Sequence, residues 1–215
     1  MHKKRQEMPK TWPVEKKEFT YMAVPSHSAN KSISILFVLR NVLKIAKNKK
    51  EAKFITNNKK VKVNNKIRTE VNFPLQVFDV LTLDDKKNYR VQIINKKFSL
   101  IEISGKDAQT KIVKISGKKI IGGNKTQMNL EDGQNIITKE KFSVGDSVVL
   151  NTKENKIEEI LPLKDGAKIE VVGGKHAGEK GKLLKIEKIG RNTIYFVKLN
   201  NVEAGLPFKT ILVIN

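Results

Sequence analysis

The 215-residue chain contains no cysteine, so disulfides, thiolate zinc sites and cysteine nucleophiles are all excluded. Its longest uninterrupted apolar run is Ile35 to Leu39, far short of the roughly 20 residues that cross a bilayer as a helix. No membrane span is expected. The N-terminus lacks the apolar core of a secretory signal, and Glu7, Pro9, Pro13 and Glu15 interrupt any amphipathic transit helix. A cytoplasmic location is therefore expected. His2, His27 and His176 stand far apart without a nearby ligand pattern, and neither a metal nor another cofactor is expected. Acidic residues are scarce too. They number 22 against 43 lysines and arginines, a formal charge of +21.

Such an excess repels itself in a compact chain, and a bound polyanion is its natural compensation. RNA, DNA and an anionic membrane surface all meet that requirement. Apolar residues make up 39% of the chain, enough for one to three small domains with cores of modest size.

The basic residues concentrate between Lys47 and Arg68, where Glu51 is the one acid. Before this stretch, residues 1–34 read as a basic extension: Lys3, Lys4, Arg5, Lys10, Lys16 and Lys17 surround Pro9, Trp12 and Pro13, with little to bury. A segment of this kind orders on a partner or stays loose. Trp12 either stacks on a base or packs in its own domain. Ile33 to Ala46 then reads as a helix, with Ile35, Val38, Leu39, Val42 and Ala46 on one stripe and Arg40, Lys44 and Lys47 on another. Asn48 is a plausible N-cap for a second helix, Lys49 to Asn57. That helix turns Ala52 and Ile55 inward and Lys49, Lys50 and Lys53 outward. Val61 and Val63 next alternate with Lys60 and Lys62, the pattern of a half-buried strand with a charged side. Asn64-Asn65 is a turn dipeptide able to take positive φ; the chain returns through Lys66, Ile67 and Arg68, and Val77 to Leu81 supplies a further strand.

This stretch resembles the small α-helix-plus-hairpin RNA-binding domain of the ribosomal S-four superfamily. The residues that carry the resemblance are Lys49-Lys50-Glu51-Ala52 with Ile55, Val61-x-Val63-Asn64-Asn65-Lys66 and Phe78-Asp79-Val80-Leu81. That family usually has glycine where this chain has Lys59, and again where it has Asn65.

From Tyr89 onward the sequence is β-rich. Short runs (Tyr89 to Ile94, Phe98 to Ile103, Lys111 to Ile115, Asn135 to Thr138, Ser147 to Leu150) alternate with Asn, Gly and Asp turn signals, which suggests a small barrel or sandwich. From Ile101 to Lys164 eleven basic residues face nine acidic ones, so this block is not the main phosphate surface. Gly122-Gly123-Asn124-Lys125 could cradle a phosphate or form a plain tight turn. The carboxylate pairs Asp84-Asp85 and Glu158-Glu159 fall at strand ends, where solvation accounts for them. In the last block, Asp165 to Asn215, the stretch Gly166 to Lys182 resembles the KOW motif of ribosomal proteins and transcription elongation factors. Gly174, Gly178 and Gly181 support a loop between two strands there, and Lys175, His176 and Lys180 can reach a sugar-phosphate backbone.

The order of these units along the whole chain resembles the S-four-e (S4e) family of archaeal and eukaryotic small-subunit ribosomal proteins. The resemblance implies an α+β, multi-domain chain: a basic N-terminal extension (1–34), a small S-four-like α/β RNA-binding domain (35–85), a central all-β domain (86–163) and a C-terminal KOW domain, an SH3-like β-barrel (164–215). It implies a non-enzymatic structural constituent that binds small-subunit ribosomal RNA beside neighbouring ribosomal proteins, with no membrane and no small-molecule substrate. The RNA-binding residues are then Lys3, Lys4, Arg5, Lys10, Trp12, Arg40, Lys44, Lys47, Lys49, Lys50, Lys53, Lys59, Lys60, Lys62, Lys66, Arg68, Lys125, Lys175, His176 and Lys180. Two other readings remain open from the residues: a transcription or translation factor built on the KOW unit, and the RNA-anchoring part of an RNA-modifying enzyme.

Overall fold

The computed structural model describes residues 2–15, 20–85, 87–122, 125–190, 192–199 and 202–214. The fold is mostly β with few helices. The chain divides into two compact units, Met1–Lys111 and Ile112–Asn215.

In the first unit the apolar run does not build the helix expected over Ile33 to Ala46. Ser32–Ser34 is a strand paired antiparallel with Pro74–Gln76. The Ser34 hydroxyl then accepts from the Phe37 N–H at 3.3 Å and caps one α-turn, Ile35–Phe37. A π-turn follows over Val38–Val42, closed by Leu43 N–H donating to the Val38 carbonyl at 2.9 Å. Lys44 takes φ 54° and stops it. The reason is burial: Ile35, Leu36, Phe37, Val38 and Leu39 are all buried, so the segment is enclosed on every side and has no single apolar stripe for a long amphipathic helix.

The N-terminal segment is not a bare extension either. His2–Lys4 pairs antiparallel with Tyr21–Ala23, and Met22 and Val24 are buried. Trp12 is 3% exposed, its ring edge-on to Phe37 with centroids 5.0 Å apart. The Phe98 N–H donates to the Thr11 carbonyl at 2.8 Å. Lys16 and Lys17 lie outside the described residues.

The helix Lys49–Asn57 forms over the residues expected. An antiparallel sheet follows, whose described strands run in the order Lys66–Ile67, Val61–Val63, Val80–Leu83, Lys87–Ile94, Lys97–Ile103. The strand expected from Val77 starts only at Val80. Phe78 adopts φ 67° and is buried, and that reversal leaves Asp79 pointing into the protein.

In the second unit the described strands form two sheets. The first runs Asn135–Thr138, Lys125–Leu130, Thr110–Ile121, Ser147–Asn151, Lys156–Leu161, around Ile115, Met128, Val148 and Leu150. Thr110–Ile121 runs well past the expected end at Ile115, because the turn signal Ser116-Gly117 is absorbed by a register shift between Ile115 and Gly117. The second sheet runs Val202–Pro207, Asn192–Leu199, Lys180–Ile189, Lys168–Val171, Ile211–Val213, around Ile169, Val171, Leu183 and Val197. Buried polar groups tie the two together. Lys114 Nζ donates to the carbonyls of Phe208 and, at 3.0 Å, Ile211, and the Val213 N–H donates to Ser147 Oγ at 3.0 Å.

Candidate nucleic-acid interface

The helix Lys49–Asn57 begins with a reciprocal cap. Asn48 Oδ1 accepts from the Glu51 N–H at 3.0 Å, Glu51 Oε1 accepts from Asn48 Nδ2 at 3.1 Å, and Glu51 Oε2 accepts from the Lys47 N–H at 2.7 Å. These bonds satisfy amides that a helix start leaves orphaned. They also occupy the one acid of the basic stretch at the helix terminus. Ala52 is buried, Ile55 half-buried, and Lys49, Lys50 and Lys53 stand exposed. Among the described residues no carboxylate pairs with these three lysines or with Lys44.

The hairpin after the helix is held from behind. Asn64 and Asn65 have φ 49° and 62°, the geometry of a two-residue primed turn. Asn64 Nδ2 donates to Asp79 Oδ1 at 2.8 Å, and Asn64 Oδ1 accepts from the Val80 N–H at 2.9 Å. Asp79 Oδ2 accepts from the Gln76 N–H at 2.7 Å, while Oδ1 also faces Lys111 Nζ at 2.7 Å, both side chains being buried. Asp79 thus joins the turn, the strand after it and a lysine far along the chain. Sequence reasoning missed this joint. Its one local signal was an acid inside the apolar run Val77 to Leu81. Lys59 has φ 59°, so Lys59 and Asn65 both occupy the left-handed region.

The basic side chains do not form one continuous face. Arg40 lies in the π-turn, half-buried, with Nε donating to Asn41 Oδ1 at 2.9 Å; the stripe Arg40, Lys44, Lys47 expected on a long helix therefore does not exist. Lys60 pairs with Asp84 at 3.4 Å and Lys62 with Asp85 at 2.6 Å, so the two aspartates temper the charge of the strand instead of being merely solvated. The Arg68 guanidinium lies over the Phe73 ring at 4.3 Å. Lys47, Lys59 and Lys66 are exposed.

Elsewhere, Lys4 and Lys10 are exposed and Lys3 and Arg5 half-buried. Trp12 is withdrawn from any base by its burial. Lys125 is exposed and pairs in register with Ile121; of the segment expected as a cradle or turn, Gly123 and Asn124 lie outside the described residues. On the C-terminal loop Lys175 and Lys180 are exposed, but His176 Nδ1 contacts Glu179 Oε2 at 3.1 Å and is half-buried. Gly174 and Gly178 take φ 88° and 87°. Gly181 is needed for space instead: a Cβ there would lie 2.3 Å from the Lys198 carbonyl oxygen. Lys180 sits opposite Glu170 in register; burial pushes the Glu170 carboxyl above the usual range, against the opposing pull of Lys180. Among the described residues no group of His, Asp or Glu could hold a metal ion, and no helix is long and apolar enough to cross a membrane.

Fold and site define a mostly-β protein that displays lysines on a capped helix and a braced hairpin. Comparison with known proteins narrows the class. The family model described as Ribosomal family S4e matches residues 85–157. The small ribosomal subunit protein eS4 of Methanosphaera stadtmanae is 40% identical over 191 residues, 86% of this chain and 79% of its own length. That of Methanothermobacter thermautotrophicus is 34% identical over 215 residues, 98% of this chain and 88% of its own. The crystal structure of the 30S ribosomal protein S4e from Thermoplasma acidophilum aligns with a TM-score of 0.74 at 29% identity, covering 86% of this chain and 95% of that one. The chain belongs to the ribosomal S4e family, in its archaeal type.

Proposed function

We propose that this protein binds small-subunit ribosomal RNA through its basic surfaces, beside neighbouring small-subunit ribosomal proteins, in the cytoplasm. The family is one of ribosomal proteins and not of enzymes. The observation that carries the RNA reading is the exposure of Lys49, Lys50 and Lys53 on a helix whose nearest acid, Glu51, is taken up by the cap. A preformed cationic surface binds phosphate without first ordering itself, and releases counterions as it does so. In this reading the first unit holds an S-four-like RNA-binding domain whose sheet runs past the expected end at residue 85 to Ile103, with 1–34 folded back on it, and the second unit holds the rest of the central β domain expected over 86–163 and a KOW barrel over 164–215. Lys175 and Lys180 add a second phosphate contact on the KOW loop.

The test is a salt titration of the full chain with its own small-subunit RNA. Replacing Lys49, Lys50 and Lys53 together by alanine lowers affinity and reduces the slope of log K against log salt by about 2 to 3, at roughly 0.7–0.9 for each phosphate no longer neutralised. A slope unchanged by the triple substitution refutes the assignment of this helix to phosphate.

A further inference from the structure

Phe54 is the feature of the lysine helix that phosphate binding leaves unused. It is 68% exposed, and Ile45 beside it is 51% exposed. The two line a shallow depression of about 410 Å³ with Lys50, Glu51 and Ile55. Lys50 lies one turn before Phe54 on the helix, and the exposed Asn57 and Asn58 lie one turn after it, so all three share its side of the cylinder. A single exposed apolar residue is ordinary. An aromatic ring beside Lys50, on a helix that also exposes Lys49 and Lys53, is a particular combination. The buried centre of a protein–protein interface is depleted in charged residues, lysine among them. A site for unpaired nucleotides is built the other way, with a cationic groove for the backbone and an aromatic platform on which a base stacks.

We infer that Phe54 is a stacking platform for an unpaired RNA base, whose flanking phosphates lie against Lys50 and Lys53 and whose edge faces the amides of Asn57 and Asn58. The inference rests on the RNA-binding reading above and sharpens it: the helix takes a bulge, loop or strand end rather than continuous duplex. A phenyl ring has no access to the faces of bases stacked within a helix.

The full-length protein is titrated with two probes, a short single-stranded oligoadenylate and a blunt RNA duplex with the same number of phosphates. Phe54→Ala weakens oligoadenylate binding by about 5- to 150-fold, the range for removing one aromatic stacking partner. It leaves the salt slope and the duplex affinity unchanged. Phe54→Trp restores binding, and its emission is quenched by the bound adenine, whereas the buried Trp12 reports that the fold is intact in each variant. Phe54→Leu does not restore binding, because an aliphatic side chain offers no π face. Three results overturn the inference. In one, Phe54→Ala keeps full oligoadenylate affinity while Lys50→Ala/Lys53→Ala weakens both probes; the lysines then hold phosphate and no base stacks. In another, Phe54→Leu binds as well as the parent, which makes the site a generic apolar contact suited to a neighbouring protein. In the last, the parent binds neither probe, and the RNA reading falls together with this one.

Discussion

Replacing Asp79 by alanine removes a buried carboxylate that three groups share. Lys111 Nζ, 2.7 Å away and buried, loses its counter-charge; Asn64 Nδ2 and the Gln76 N–H lose their acceptor. Breaking a buried pair from one side costs about 3–5 kcal/mol, because the surviving charge loses its buried counter-ion. Against a total stability of about 5–15 kcal/mol, that is a large share. It lowers the melting temperature of the first unit by about 12 °C or more. Trp12 makes the measurement specific: it is the one tryptophan of the chain, and it is buried against Phe37 in that same unit. Urea unfolding followed by its emission therefore reads the unit directly. Lys111→Met costs less than Asp79→Ala, since the carboxylate keeps its two other donors. The double variant Asp79→Ala/Lys111→Met no longer buries an ammonium that has lost its carboxylate, and recovers about 1–3 kcal/mol relative to the sum of the singles. Singles that add without coupling, or an Asp79→Ala loss below about 1 kcal/mol, refute the account of Asp79 as the joint that braces the hairpin.

Lys59→Gly relieves a left-handed residue at φ 59°. A gain of about 1–2 kcal/mol, offset in part by the glycine's freedom in the unfolded chain, leaves a net stabilisation of about 0.5–1 kcal/mol in urea unfolding. RNA affinity falls slightly as one positive charge is removed. Gly181→Ala drives a methyl to within 2.3 Å of the Lys198 carbonyl oxygen and destabilises the second unit by about 3 kcal/mol. Gly174→Ala, at φ 88° but in open space, costs about 1–2 kcal/mol, so calorimetry of the pair separates crowding from backbone strain. Glu170 gives a pH signature. Its folded carboxyl holds its proton more tightly than the unfolded one, so its contribution is fully present in acid, below the ordinary carboxylate pKa, and is lost as pH rises through the elevated folded value. Glu170→Gln therefore melts higher than the parent at neutral pH and no higher in acid; a difference independent of pH refutes it.

The residues alone were enough for features that depend on near neighbours. Asn48 caps three positions ahead, Ala52 faces inward on a nine-residue helix with Ile55 half-buried beside it, and Val61 and Val63 alternate with lysines; each follows from a period of 3.6 or 2. The charge excess and the lack of cysteine are likewise legible before any fold is in view, the first pointing to a polyanion and the second excluding disulfides and thiolate chemistry. What local pattern could not supply was contact between distant parts of the chain. Trp12 and Met22 look like residues with nothing to bury until Phe37 and the paired strands enclose them. The stretch Ile33 to Ala46 has helical spacing, yet the burial of all of Ile35 to Leu39 leaves it as the end of a strand, a single α-turn and a π-turn. Asp84 and Asp85 stay solvated as expected, and only the fold shows that Lys60 and Lys62 stand beside them. In each case the deciding free energy, whether burial or ion pairing, belongs to residues that meet only when the chain has folded.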